Sequence, residues 1–128
     1  HNPGQKIIYL AIDLRKRKKD VRLFITTLEK CIIELLKTYD IEGISDRKNI
    51  GIWVNNKKIS AIGIKIKNWI AYHGCSINID NDLSDYKKIV PCGLRNNMVT
   101  SLKKLGVKQT KNLNKNIIKI FLNNLSKI

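Results

Sequence analysis

Several things are scarce in this chain. Aromatic residues make up 6% of it, so flat platforms for stacking nucleic-acid bases are few. No apolar run approaches the roughly 18 residues that a membrane-spanning helix needs. No charged segment followed by an apolar one marks a signal peptide, so export is not expected. There are three cysteines, Cys31, Cys75 and Cys92. They form no CxxC pair and no zinc-type spacing. An odd number without an export signal fits a reducing cytoplasm and argues against a disulfide framework. Acidic residues are also few, 10 against 25 lysines and arginines.

The result of that imbalance is a formal net charge of +15 over 128 residues. A basic chain can meet nucleic acid, an anionic membrane or an acidic protein. The lysines are spread along the whole chain rather than gathered on one element, and Lys, Ile and Asn are abundant together. That pattern also follows from compositional bias alone. The one dense run, Arg15-Lys16-Arg17-Lys18-Lys19, reads first as a solvated turn. The length suits one domain, residues 1–128, able to bury about two-thirds of its unfolded surface.

Periodicity gives the elements. Gln5 to Ile12 is rich in β-formers and reads as a strand. Asp20 is an N-cap candidate for a helix to about Tyr39. Its apolar face is Val21, Phe24, Ile25, Leu28, Ile32 and Leu35, with Cys31 as a small packing residue. Residues 40–49 read as a loop. Asn49 to Val54 reads as a strand, Asn55-Asn56 as a hairpin turn, and Lys58 to Ile70 as one long strand. In it Ile62, Ile64 and Ile66 alternate with Gly63, Lys65 and Lys67, giving one buried and one wet face. Cys75 to Asp80 reads as a short strand, and Asp82-Leu83-Ser84-Asp85-Tyr86 as a helix start. Thr100 to Leu105 reads as helical up to Gly106. Asn114 to Leu125 is a last amphipathic helix, with Ile117, Ile118, Phe121 and Leu125 on one face. Strands grouped between helices indicate an α+β domain with a mixed sheet covered by helices.

Cys92 carries the strongest chemical signal. It lies in Ile89-Val90-Pro91-Cys92-Gly93, where proline and glycine allow a tight turn that displays the side chain. A cysteine needs a nearby cation to be a thiolate at neutral pH, and Lys58 is the candidate. Strand alternation sends Lys57 and Lys58 to opposite faces, so one of them can point at Cys92. The plain alternatives are a buried structural cysteine and an ordinary turn lysine. Gly63 and Gly74 would let a substrate approach the backbone closely, or else mark a bulge and a turn. His73 is a rival partner for Cys92, or a hydrogen-bonded structural histidine.

Five pieces in order carry a resemblance. They are His1-Asn2-Pro3-Gly4-Gln5, Gly51-Ile52-Trp53-Val54, Lys58-Ile59-Ser60-Ala61-Ile62-Gly63, His73-Gly74 with Asn78, and Pro91-Cys92-Gly93 followed by Thr100-Ser101-Leu102. From residue 1 to about residue 105 the chain resembles the octanoyl-acyl-carrier-protein:protein N-octanoyltransferases, the lipoyl(octanoyl) transferases of lipoate biosynthesis. The resemblance implies a domain similar to the catalytic domain of biotin and lipoate protein ligases. It implies Cys92 as nucleophile and Lys58 as its partner. It further implies an acyl pocket lined by Ala61, Ile62, Gly63, Gly74, Cys75 and Ser76, with His1 at the end of a substrate loop. Cys75 stands where an apolar residue is expected, so it is a pocket wall or a second reactive thiol.

The implied partners are octanoyl-acyl carrier protein as donor, and as acceptors the lipoyl domains of 2-oxoacid dehydrogenase complexes and the glycine cleavage H protein. No cofactor is implied, since the thioester is already activated, and neither nucleic acid nor membrane is an expected partner. The family's Pro-Gly-Gln segment follows an Arg-Gly-Gly loop and a strand, so a chain opening at His1 reads as truncated at its N-terminus. Two other readings stay open: an ATP-dependent lipoate or biotin protein ligase of the same fold, and a non-catalytic basic nucleic-acid-binding module.

Overall fold

A computed structural model describes residues 3–83 and 99–128. Five strands form one sheet: β1 (Gln5–Asp13), β2 (Ile44–Ser45), β3 (Ile52–Val54), β4 (Lys57–Lys67) and β5 (Ile70–Asn78), in the order β1-β5-β4-β3-β2. All named neighbours are antiparallel. The mixed character of the sheet rests on a parallel bridge between Lys58 and Val99. Among the described residues two α-helices, α1 (Val21–Lys37) and α2 (Leu113–Leu125), pack on each other, and α1 lies against β3 and β4.

Helix α1 starts where an N-cap is available. The Asp20 carboxylate accepts from the Leu23 N–H at 2.9 Å, which satisfies one of the free donors of the first turn. Phe24, Leu28, Cys31, Ile32, Leu35 and Leu36 are buried along its inner face. Val21 is exposed and Ile25 only half-buried, because the stripe is set by the later turns and rotates away from the helix start. On α2, Ile117, Phe121 and Leu125 face inward as expected. Ile118 does not: it is 60% exposed, one residue off the inward stripe.

The long strand expected from Lys58 to Ile70 is two strands. It ends at Lys67, and Asn68-Trp69 forms a turn with both residues at positive φ, 52° and 64°. This is the type I′ geometry that two-residue hairpins require, and it matches Asn55-Asn56 at 49° and 65°. Trp69 is a strand-favouring aromatic and not a turn residue, which hid the turn. Its strain is held by neighbours: the Leu14 N–H donates to the Trp69 carbonyl at 2.8 Å, and the Lys19 ammonium lies 5.7 Å from the indole centroid. His73-Gly74 therefore sits inside β5, and the strand expected at Cys75 begins at Ile70. The 40–49 loop contains the short strand β2, and the strand expected from Asn49 begins at Ile52. Thr100 to Leu105 forms a tight turn rather than a helix, with Gly106 at φ 91° closing it. The helix start expected at Asp82 runs from Ser84 onward outside the described residues. Among the described residues no helix is long and apolar enough to cross a membrane.

One irregularity sets the faces of β4. Ile52 pairs with Ser60 and Trp53 with Lys58, so Ile59 is an extra residue in a β-bulge. Ile59 and Ser60 are both buried. Strict alternation would put Lys58 on the same face as Ser60 and Ile62. The inserted residue reverses that, and Lys58 joins Trp53, Ala61 and Gly63 on the face away from the helices. That open face also carries exposed Tyr9, Lys65, Lys67 and Tyr72.

Candidate acyl-binding face and the Lys58 site

Cross-strand register builds a trough on the open face. Tyr9, Gly74 and Gly63 lie in one row across β1, β5 and β4. The next row is Ile7, Ser76 and Ala61 on one side, and on the other Ala11, Tyr72 and Lys65. Two glycines side by side leave a floor of bare backbone between rows that carry side chains. The resulting cavity has a volume of about 590 Å³ and includes Ala61, Gly63, Gly74, Cys75 and Ser76 in its lining. Ile7, Ile8, Tyr9, Ile64 and His73 complete it. Alternation along β1 could have put Ile7 and Tyr9 on one face, but nothing in the sequence pairs β1 with β5.

Of the expected pocket residues, Ile62 does not line this cavity. Its register partner is Cys75, and it packs against the core. Cys75 contributes from the floor, 5% exposed and within the core cluster. Burial, and next to it the nearby Cys31, push its thiol up to about 12. Cys31 is likewise raised to about 12 by burial, with Glu34 adding to the shift. Both are poor thiolates at neutral pH. His73 is exposed with φ 71°, a conformation that costs roughly 1–3 kcal/mol and tends to occur at functional sites.

Lys58 lies three residues from Ala61 on the same face, roughly 10 Å along the strand. It is half-buried, and loss of solvent pushes its ammonium below the usual lysine range. Its Nζ is 5.9 Å from the centroid of the Trp53 ring. Its carbonyl accepts from the Thr100 N–H at 2.9 Å. Cys92 and His1 lie outside the described residues. Val99, where the described chain resumes, forms a parallel bridge with Lys58. Cys92 precedes that bridge by seven positions in the sequence.

Other pieces of the motif set meet at Asn78. Its side-chain oxygen accepts from Gln5 Nε2 at 2.9 Å and from Asn81 Nδ2 at 3.3 Å. Its amide nitrogen donates to the Thr100 carbonyl at 3.1 Å. Gln5, Asn78 and Thr100 thus tie β1, the end of β5 and the segment at residues 99–100 into one knot. Their role in the geometry is to seat Val99–Thr100 next to Lys58.

The fold is that of the catalytic domains of biotin and lipoate protein ligases. Biotin protein ligase from Aquifex aeolicus superposes with a TM-score of 0.73 over 97% of this chain and 54% of its own, at 16% identity. A lipoate-protein ligase A solved with ATP bound gives 0.74 over 95% of this chain and 51% of its own, at 11% identity. Residues 1–121 match the lipoyl protein ligase A/B catalytic domain, and the chain belongs to that family. It is 50% identical over 113 residues to an octanoyltransferase of Wolbachia pipientis wMel, covering 84% of this chain and 55% of that protein. It is 45% identical over 120 residues to an octanoyltransferase of Bartonella bacilliformis, covering 84% and 50%. The chain spans about half the length of these curated relatives.

Proposed function

We propose that residues 1–128 form a catalytic domain that transfers an octanoyl group from octanoyl-acyl carrier protein to a lysine of a lipoyl-accepting domain. The observation that carries this reading is the bare Gly63–Gly74 trough on the same sheet face as Lys58. The likeness to octanoyltransferases supports it. An apolar chain lying in the trough meets main chain and the Ile7 and Ala61 side chains, with little polar surface to desolvate.

In the first step the Cys92 thiolate attacks the thioester carbonyl carbon. The carrier sulfur leaves as a thiolate and takes the proton of the Lys58 ammonium, leaving Lys58 as an amine, and the octanoyl group rests on Cys92 as a new thioester. Exchange of one thioester for another is nearly isoenergetic, so the acyl group stays activated. In the second step the acceptor lysine's neutral amine attacks that carbonyl. Cys92 leaves as a thiolate, the product is an amide, and the amine's surplus proton must be removed. Lys58 serves both steps: as an ammonium it stabilises the Cys92 thiolate, and as an amine it accepts the proton. Burial helps the second role by favouring its neutral form. The acceptors in this reading are lipoyl domains of 2-oxoacid dehydrogenase complexes and the glycine cleavage H protein, in the cytoplasm.

The test is intact-mass analysis after incubation with octanoyl-acyl carrier protein and no ATP. The expected result is a gain of one octanoyl group, absent in Cys92→Ala. The shared fold with biotin and lipoate ligases makes an ATP-dependent ligase the second reading. Transfer from free octanoate with ATP, and none from the thioester, would establish that instead.

A further inference from the structure

Trp53 and Gly51 stand on either side of Lys58. Trp53 is its direct cross-strand partner, through the bulge at Ile59. The Lys58 ammonium lies over the indole at 5.9 Å from the centroid, within the range at which a cation is attracted to the ring face. The indole is held in turn, since its Nε1–H donates to the Asn49 carbonyl at 3.2 Å. On the other side, a Cβ at Gly51 would lie 2.7 Å from Lys58 Cε and 2.7 Å from the Ser60 carbonyl oxygen. Gly51 is also at φ 140°, where an L side chain is strained. The lysine stem therefore runs over bare backbone, and its head lies against a ring.

This way of holding a lysine has a chemical consequence. Among the described residues no carboxylate is ion-paired with Lys58; the Asp13–Arg15 pair is elsewhere. A carboxylate would fix the ammonium but would also neutralise it toward a thiolate and hold its proton. An indole face attracts the cation while adding no net charge and no proton acceptor. We infer that Trp53 and Gly51 are positioning residues, a clamp that aims the Lys58 ammonium without neutralising it. The inference rests on the role proposed above for Lys58.

Three measurements on the whole chain separate the possibilities. The first needs no substrate: side-chain 15N lysine NMR of the free protein should show Lys58 with a ring-current shift that is lost in Trp53→Leu and largely kept in Trp53→Phe. The second is the pH profile of Cys92 alkylation. Trp53→Leu should slow it at neutral pH by roughly three- to tenfold and move the profile to higher pH, with Trp53→Phe restoring most of the rate. The third is Gly51→Ala, which should give the same displaced profile with Trp53 intact. Thermal unfolding of each variant identifies any that fail to fold, and Trp53→Phe keeps the test available if Trp53→Leu is one of them. No ring-current shift at Lys58, or an unmoved profile in folded Trp53→Leu while Lys58→Met slows alkylation, would overturn the clamp alone. An unmoved profile in Lys58→Met would overturn the clamp together with the proposed role of Lys58.

Discussion

Gly74 lies so tightly against Ile8 that a Cβ at position 74 would overlap the Ile8 carbonyl oxygen. The two residues belong to neighbouring strands, and Gly74 is at φ 153°. Gly74→Ala must therefore strain the backbone and push β1 away from β5. We expect a loss of about 3 kcal/mol or more in urea unfolding, with the trough distorted. A Gly74→Ala variant as stable as the parent would mean that β1 and β5 are not packed this closely.

Gly63 is the contrasting position. It pairs with Gly74 across the sheet, yet a Cβ there meets nothing within 4 Å. Gly63→Ala should leave stability unchanged or raise it by up to about 1 kcal/mol. Its methyl projects into the trough, so on the proposed function it should bias transfer toward shorter acyl chains. The expected size is roughly fourfold in relative rate for each methylene displaced. Competition between octanoyl and hexanoyl donors measures this. An unchanged preference would place the acyl chain elsewhere.

The Lys58 shift makes a pH prediction that does not depend on catalysis. Burial lowers its folded pKa below the ordinary 10.5. Below the folded value the lysine is charged in both states, and the fold bears the whole penalty of burying it. Stability recovers as pH rises from the folded value toward 10.5 and is unaffected above that. Lys58→Met should therefore be more stable than the parent at neutral pH, and the gap should close above pH 10.5. Urea unfolding of both proteins at the two pH values tests it. A gap that stays constant with pH would mean that Lys58 is not desolvated.

The three thiols should differ sharply. Cys31 and Cys75 are both buried and raised to about 12. Alkylation of the native protein near neutral pH should modify Cys92 first, with the other two reacting only on unfolding. Peptide mapping after a short iodoacetamide pulse reads this out. Labelling of Cys75 as fast as Cys92 would revive it as a second reactive thiol.

Much of this was legible in the sequence where one physical rule dominates. Asp20 before an apolar 3.6-residue repeat gave the helix, and Asn55-Asn56 gave its hairpin. The residues that went unread are those whose effect depends on a partner strand. Asn68-Trp69 looks like continuing strand until the Leu14 N–H and Lys19 are seen to hold it. Ile62 belongs to the right motif but points into the core, because only register separates the lining of a trough from its underside. Lys58 was placed opposite Lys57 by simple alternation, and the bulge at Ile59 is what then sends it to the open face. Trp53 stood in the motif with no role, since a cation over a ring leaves no spacing signature.

The knot at Asn78 yields the last prediction. Asn78 is 5% exposed and makes hydrogen bonds to Gln5, Asn81 and Thr100. Asn78→Ala leaves the Thr100 carbonyl and the Asn81 amide without that partner in a buried site, at a cost of about 2–3 kcal/mol. Asn78→Asp keeps the acceptor for Gln5 but loses the donor to Thr100, and adds a buried charge. Hydrogen exchange distinguishes global from local loss. The Thr100 amide, bonded to the Lys58 carbonyl, should exchange faster in Asn78→Ala than the amides of the β4–β5 ladder do. Since residues 99–100 are held against Lys58, the proposed function predicts that the variant also loses acyl transfer out of proportion to its stability. Faster exchange at Thr100 with transfer unimpaired would separate this knot from the chemistry and leave it a purely structural tie.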